Sequence, residues 1–344
     1  MRIVYIKLTN KCNIACKHCY NSVCDTSVDI SEETLQKCLD IIEFQWKACE
    51  LGEKVEVALH GGEPTLYDLK TLQILCGGII ASGATVSATT NLLYEITTDH
   101  LKLFNMFIQE DGRRLVVTSW DGGDVRFKNE EMYEQWLWNV RFLLGRGYTV
   151  QPIVTLTKPV IDMNPKDVFE EMRNVGVTAV NFERLTKTGR AEENKDLWVT
   201  NREVDAWLGE AYRLNEMEYK FEVPLFAELE QAYEGFKDGC KARMCMLKVI
   251  TINPDGTLAC CPNDPLTVVG HVDRWKYEDR TEEDKRNHNK LIQMESRRPT
   301  ECYTCDYFKE CNGECCQLTW DESGCPGMIE TIKNIRKSYK GELF

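Results

Sequence analysis

The sequence predicts an α/β protein built on a parallel sheet and followed by a cysteine-rich C-terminal domain. Three observations predict it. Short β-branched runs alternate with helical patterns from Ile3 to about Glu183. Polar clusters follow several of the predicted strands, where a parallel sheet gathers its reactive groups. Cysteine is absent from 77 to 239, and then ten cysteines fall between 240 and 325.

Taken in order, the predicted strands are Ile3 to Thr9, Val55 to His60, Ala84 to Thr90, Leu115 to Asp121, Tyr148 to Thr155 and Thr178 to Glu183. Helical patterns lie between them, near 32 to 50, 68 to 81, 98 to 107, 130 to 145 and 165 to 175. The first opens on Ser31 with Glu32 and Glu33 behind it, an N-cap with acids in its first turn. Six strands each separated by a helix imply parallel pairing through right-handed crossovers. After Gly189-Arg190-Ala191 a polar segment and a helix around Arg202 to Met217 lead into the cysteine-dense region. The expected units are therefore residues 1–200, a helical linker over 201–235, and a second domain over 236–344.

Composition narrows the function. Seventeen cysteines would suit a disulfide scaffold in a short secreted protein, yet the chain opens Met1-Arg-Ile-Val-Tyr-Ile-Lys, a strand pattern without an apolar targeting segment. No run approaches the ~18 apolar residues that span a bilayer. A cytoplasmic, reducing location is expected, where clustered cysteines bind metal more often than each other. A formal charge of -13 argues against nucleic acid as a partner.

The chemistry begins with Cys12-Asn-Ile-Ala-Cys16-Lys-His-Cys19, directly after the first strand. Three thiolates hold three irons of a four-iron, four-sulfur cube and leave the fourth iron open to a ligand. On spacing alone a zinc knuckle also fits. Gly61-Gly62-Glu63-Pro64 ends the second strand; its glycines let backbone approach a ligand closely, and Glu63 is placed to accept from an ammonium group. Thr90-Asn91 ends the third strand and Ser119-Trp120-Asp121-Gly122 the fourth.

Together these elements resemble the radical S-adenosylmethionine (SAM) superfamily. The resemblance implies a partial (β/α)6, TIM-like barrel, with Cys12, Cys16 and Cys19 holding the cluster at which SAM is cleaved. It implies further that Gly61, Gly62 and Glu63 receive the methionine amino group and that Ser119 and Asp121 belong to the element beside the carboxylate and ribose. His18 takes the position whose ring neighbours adenine. Asn91 matches a family position too, but Leu92 stands where the family has glycine, so a different local backbone is expected there.

The C-terminal cysteines resemble the SPASM pattern, in which two auxiliary four-iron clusters are held. Carried over by position, Cys240, Cys245, Cys261 and Cys315 serve the first cluster, and Cys302, Cys305, Cys311 and Cys325 the second. Cys260 and Cys316 adjoin proposed ligands, so the register at both places stays open. Cys38, Cys49 and Cys76 fall in helical patterns and are read as small core residues, and Cys24 as a loop thiol.

The expected function is reductive cleavage of SAM to a 5'-deoxyadenosyl radical that takes hydrogen from a peptide or protein, giving a crosslink, an oxidised residue or an epimer. The alternatives are a dehydrogenase of a small-molecule alcohol or sugar, and a non-catalytic iron-sulfur carrier. Implied partners are the peptide, an electron donor such as flavodoxin or ferredoxin, and a separate leader-binding protein, since no leader-binding domain precedes the first strand. In sulfatase-maturing relatives an aspartate follows the third ligand of the first auxiliary cluster. Pro262 stands there instead, with Asp264 close by.

Overall fold

The computed structural model describes residues 1–236 and 245–343. Six parallel strands form the barrel wall: β1 Arg2–Thr9, β2 Val55–Gly61, β3 Thr85–Ala88, β4 Leu115–Trp120, β5 Thr149–Leu156 and β6 Asn181–Arg184. Strands β3, β2 and β1 pair in that order, as do β4, β5 and β6. A bridge between Thr89 and Val117, with Thr90 N–H donating to the Val117 carbonyl at 3.0 Å, continues the wall from β3 to β4.

The arc is open rather than closed on itself. β7, Val249–Ile252, pairs in parallel with the outer edge of β1 and carries the antiparallel strands β8, Thr257–Ala259, and β9, Gly270–His271. At the other end the predicted sixth strand divides. Its first half, near Thr178 to Val180, bonds to Glu222, and only Asn181–Arg184 pairs with β5. The β1 edge and the chain just before β6 are thus paired with segments from beyond residue 200, which satisfies backbone groups that an open sheet would leave exposed.

Helices α1 Glu32–Lys47, α2 Leu69–Ala81, α3 Thr98–Phe104 and α4 Glu130–Leu144 cover the outside. Each is capped as polar residues at its start dictate: Ser31 accepts from Thr34 N–H, Asp68 from Thr71 and Asn129 from Met132, while Thr97 and His100 form a reciprocal box. The third helix stops at Phe104, short of the expected 107. Strand alternation sorts the wall into two faces. Val4, Ile6 and Leu8 join Leu35, Cys38, Ile41 and Ile42 in the outer core, and Trp136 Nε1 donates to Thr118 at 3.1 Å. Cys38 and Cys76 are buried in that core and Cys49 packs against it. The inner face is polar, presenting Lys7, His60, Ser87 and Ser119.

Helix Asn201–Leu214 ties the wall to the C-terminal region. Trp207 packs edge-on against Phe182 of β6, and Gly209 accepts from Asn334 on the closing helix Ile329–Tyr339. No helix among the described residues is long and apolar enough to cross a membrane.

Candidate functional site

The cysteine triplet follows β1 at the C-terminal end of the wall. Its loop is fixed from below by the glycines of β2. Gly62 N–H donates to the Thr9 carbonyl at 2.7 Å and Glu63 N–H to that of Lys11 at 2.8 Å. A Cβ on Gly61 or Gly62 would overlap those same carbonyl oxygens, and Gly61 has φ +134°. Lacking side chains, these glycines let the end of β2 approach the cysteine loop closely. Cys12 is exposed, Cys16 buried and Cys19 half-buried. Burial pushes the Cys16 thiol up to about 11, against the lowering effect of Arg126, and pushes Cys12 upward as well. Such thiols release their protons on binding metal.

Glu63 is 1% exposed and accepts four hydrogen bonds. Oε1 takes Thr65 N–H at 3.1 Å, Thr65 Oγ1 at 2.7 Å and Thr90 Oγ1 at 2.8 Å; Oε2 takes Asn91 N–H at 2.7 Å. Burial raises this carboxyl, and the four donors work against it. Oε2 thus keeps acceptor capacity for a further donor such as an ammonium group. Asn91 reaches the triplet, with Nδ2 2.7 Å from Asn13 Oδ1 and 3.8 Å from Cys12 Sγ.

Leu92, at the position where the family has glycine, adopts an unusual backbone for a residue with a side chain. It holds a left-handed conformation, φ +53°, of the kind glycine adopts freely. The strain of ~1–2 kcal/mol is offset by full burial of its side chain and by Asn139 donating to its carbonyl at 2.9 Å.

Asp121, at the end of β4, is 1% exposed. Arg126 Nε donates to its Oδ2 at 2.6 Å and Thr155 N–H to its Oδ1 at 3.2 Å. Burial alone would raise this carboxyl; Arg126 and the His18 ring outweigh it and hold Asp121 well below the ordinary range. His18 Nε2 lies 3.1 Å from the same oxygen but off the direction of a hydrogen bond, so this buried ring nitrogen has no hydrogen-bond partner. Ser119 lies half-buried on the inner face of β4, two residues before Asp121. Two side chains here went unnoticed in the sequence. Arg126 is itself buried and stands within electrostatic reach of Cys16 and Cys19. Lys7 points inward from β1, fully buried, and burial pulls its ammonium down to about 8.

The C-terminal cysteines gather in two places. Cys302, Cys305, Cys311 and Cys325 line one cavity of about 190 Å3 with Phe308 and Trp320. Gly327 closes its floor, where a Cβ would stand 3.0 Å from Cys311 Sγ and 3.6 Å from Cys325 Sγ. Cys245, Cys261 and Cys315 lie within electrostatic reach of one another. Cys240 lies outside the described residues. Of the adjoining pair, Cys260 is buried in the hydrophobic core and its carbonyl accepts from Thr251 Oγ1 at 3.0 Å, whereas Cys261 is half-buried beside Cys315.

These surroundings fit iron-sulfur clusters and SAM. Four thiols share a cradle that a single added carbon would crowd, and a buried carboxylate with spare acceptor capacity stands beside the triplet. Among the described residues no three His, Cys, Asp or Glu side chains are close enough to hold a single metal ion.

No family model and no curated protein matches the chain. Solved structures do. The complex of anSMEcpe, an anaerobic sulfatase-maturating enzyme, with AdoMet and the Kp18Cys peptide superposes with a TM-score of 0.73 at 15% identity, covering 99% of this chain and 97% of that one. SuiB of Streptococcus suis bound to its precursor peptide SuiA gives 0.59 at 14% identity, over 91% of this chain and 71% of that one. The chain therefore has the fold of the radical SAM enzymes that carry a SPASM domain.

Proposed function

From that shared fold we propose that this protein is a radical SAM enzyme that modifies a peptide or protein. One observation carries the reading: Cys12, Cys16 and Cys19 meet Glu63, Asn91 and Asp121 at the C-terminal ends of β1 to β4, where a parallel barrel does its chemistry. When bound, the cluster and SAM supply an electron and a carbon-sulfur bond whose breakage yields the 5'-deoxyadenosyl radical that takes hydrogen from the substrate.

The chain's own residues bind and orient. Glu63 Oε2 receives the amino group, its charge held in place by Thr65, Thr90 and Asn91. Asn91 steadies the Cys12 side of the loop, and Arg126 steadies Cys16 and Cys19 while fixing Asp121. His18, Ser119, Gly61 and Gly62 complete the SAM side by family position. Cys302, Cys305, Cys311 and Cys325 would hold one auxiliary cluster and Cys240, Cys245, Cys261 and Cys315 the other, and such clusters would supply an acceptor for the electron left on the substrate.

A peptide substrate is supported by the peptide complexes of anSMEcpe and SuiB. The formal charge of -13 suits a neutral or basic one. Its electron donor is a flavodoxin or ferredoxin. The test is anaerobic reconstitution, dithionite reduction and measurement of 5'-deoxyadenosine with and without peptides encoded beside the gene. Cleavage that rises with one peptide supports the reading and names the substrate. Cleavage indifferent to every peptide points to a small molecule, and none in fully loaded protein contradicts the enzyme.

A further inference from the structure

Lys7 occupies a place where a charge is costly. It lies in the middle of β1, on the inner face, with no exposed surface. Its Nζ donates to Asn21 Oδ1 at 3.0 Å and to the Pro262 carbonyl at 2.9 Å, both neutral acceptors. Among the described residues no carboxylate stands within ion-pairing distance of it. A cation taken out of water without a counter-ion is destabilising by several kcal/mol. The Tyr20 ring, 5.4 Å from the ammonium, returns only a small part of that.

The groups facing this ammonium explain what compensates it. Within its electrostatic reach lie the thiols of Cys24, Cys261 and Cys19, with Asp264 more weakly, and the buried His60 ring, a neutral neighbour on β2. Cys19 belongs to the triplet after β1, and Cys261 to the first C-terminal set. The two hydrogen bonds have the same two-sided character: Asn21 is two residues past Cys19, and Pro262 directly follows Cys261. Lys7 is thus clamped between two thiol sites that are far apart in sequence, and it becomes charge-paired when both are thiolates. Its two hydrogen bonds run to Asn21 and Pro262 and reach no part of the segment that carries Cys302, Cys305, Cys311 and Cys325.

We propose that Lys7 is a positioning residue whose fixed charge is shared by the triplet site and the Cys261 site, holding them together and favouring the reduced state of the cluster at each. This rests on the reading of both as cluster sites. A positive charge stabilises the form that has gained an electron, because that form is the more negative. Each couple is a one-electron reduction, the electron coming from the reductant in solution.

The test is a redox titration followed by electron paramagnetic resonance on reconstituted wild-type protein and on Lys7→Gln, Lys7→Met and Lys7→Arg. Glutamine offers the hydrogen bonds without the charge, methionine neither, and arginine retains the charge. In the neutral variants the reduction equilibrium should fall at least tenfold, about 59 mV for a one-electron couple, at two of the three clusters. The third cluster should not move, and arginine should restore the other two to within about threefold of wild type. Loss of clusters from both neutral variants with retention in the arginine variant also supports the assignment. Unmoved potentials in a loaded neutral variant, equal shifts at all three clusters, or failure of the arginine variant alongside the others would overturn it. Wild-type protein that takes up no iron would instead overturn the proposed function, a result distinct from any of these.

Discussion

The two cysteine sites of this chain with complete local descriptions are built on opposite plans. Around Cys302, Cys305, Cys311 and Cys325 the walls are mostly apolar, with Phe308, Trp320, Pro326 and Ile329 beside Glu301, the buried Glu314 lies within electrostatic reach of Cys311, and the four thiols share a small cavity over Gly327. Cys12, Cys16 and Cys19 supply three thiols, one of them exposed, with the Cys24 thiol within electrostatic reach of Cys19, and the buried ions Glu63, Asp121 and Arg126 stand beside them. Four ligands saturate a cluster, whereas three leave a coordination position open, and at the triplet buried polar groups stand beside that position. The difference teaches that ligand count, more than buried charge, separates a site left open to SAM on the proposed reading from one whose cluster would be fully ligated.

The sharpest break of that contrast is removal of a buried charge at the triplet. Asp121→Asn leaves Arg126 without its partner and should destabilise the fold by about 3–5 kcal/mol, read by denaturant unfolding at neutral pH. Because the carboxyl is depressed in the folded state, its contribution is present above the ordinary carboxylate range and fades as pH falls toward the lower folded value. The wild-type advantage over Asp121→Asn should therefore shrink in acid; an advantage that grows there contradicts the pairing.

A smaller effect is expected at Glu63. Glu63→Gln keeps the shape but turns an amide N–H2 toward donors, and it removes the charge that meets an ammonium. SAM affinity should fall roughly tenfold to a hundredfold, about 1.4–2.8 kcal/mol, in equilibrium dialysis against loaded protein, with iron content unchanged. Unaltered affinity would show that the buried carboxylate is only a cap for Thr65. The mildest change belongs to the other site. Gly327→Ala pushes a methyl against Cys311 and should lower iron by about a third, one cluster of three, without abolishing 5'-deoxyadenosine formation.

Much of this contrast could be read from sequence, for physical reasons that also mark where reading stopped. The strands and helices stand within a few residues of expectation because β-branched runs, caps such as Ser31 and the break at Gly176 are local signals. Thr178 to Val180 was harder: whether it pairs with β5 or with Glu222 is decided by chain forty residues later. The motif residues Glu63, Asn91 and Asp121 were legible, but their roles in the fold were not. The stitching of Gly61-Gly62 to Thr9–Lys11 depends on how two strand ends meet. Arg126 sits in a loop five residues after Asp121, where a single arginine carries no pattern. Lys7 had a faint signature, a charge within the alternation Tyr5-Ile6-Lys7-Leu8, but the partners that make it unusual arrive from Asn21 and Pro262. Leu92 holds a left-handed conformation whose strain is offset by burial of its side chain, which only the tertiary structure reveals.

The most direct test of the account compares two multiple variants of reduced, reconstituted protein: Cys12, Cys16 and Cys19 all changed to alanine, and Cys302, Cys305 and Cys311 all changed to alanine. Iron and 5'-deoxyadenosine are measured on the same samples. We predict that the first retains about eight of twelve irons and forms no 5'-deoxyadenosine, while the second retains a similar amount of iron and still cleaves SAM. Continued cleavage by the first variant would contradict the assignment of the triplet as the site of chemistry.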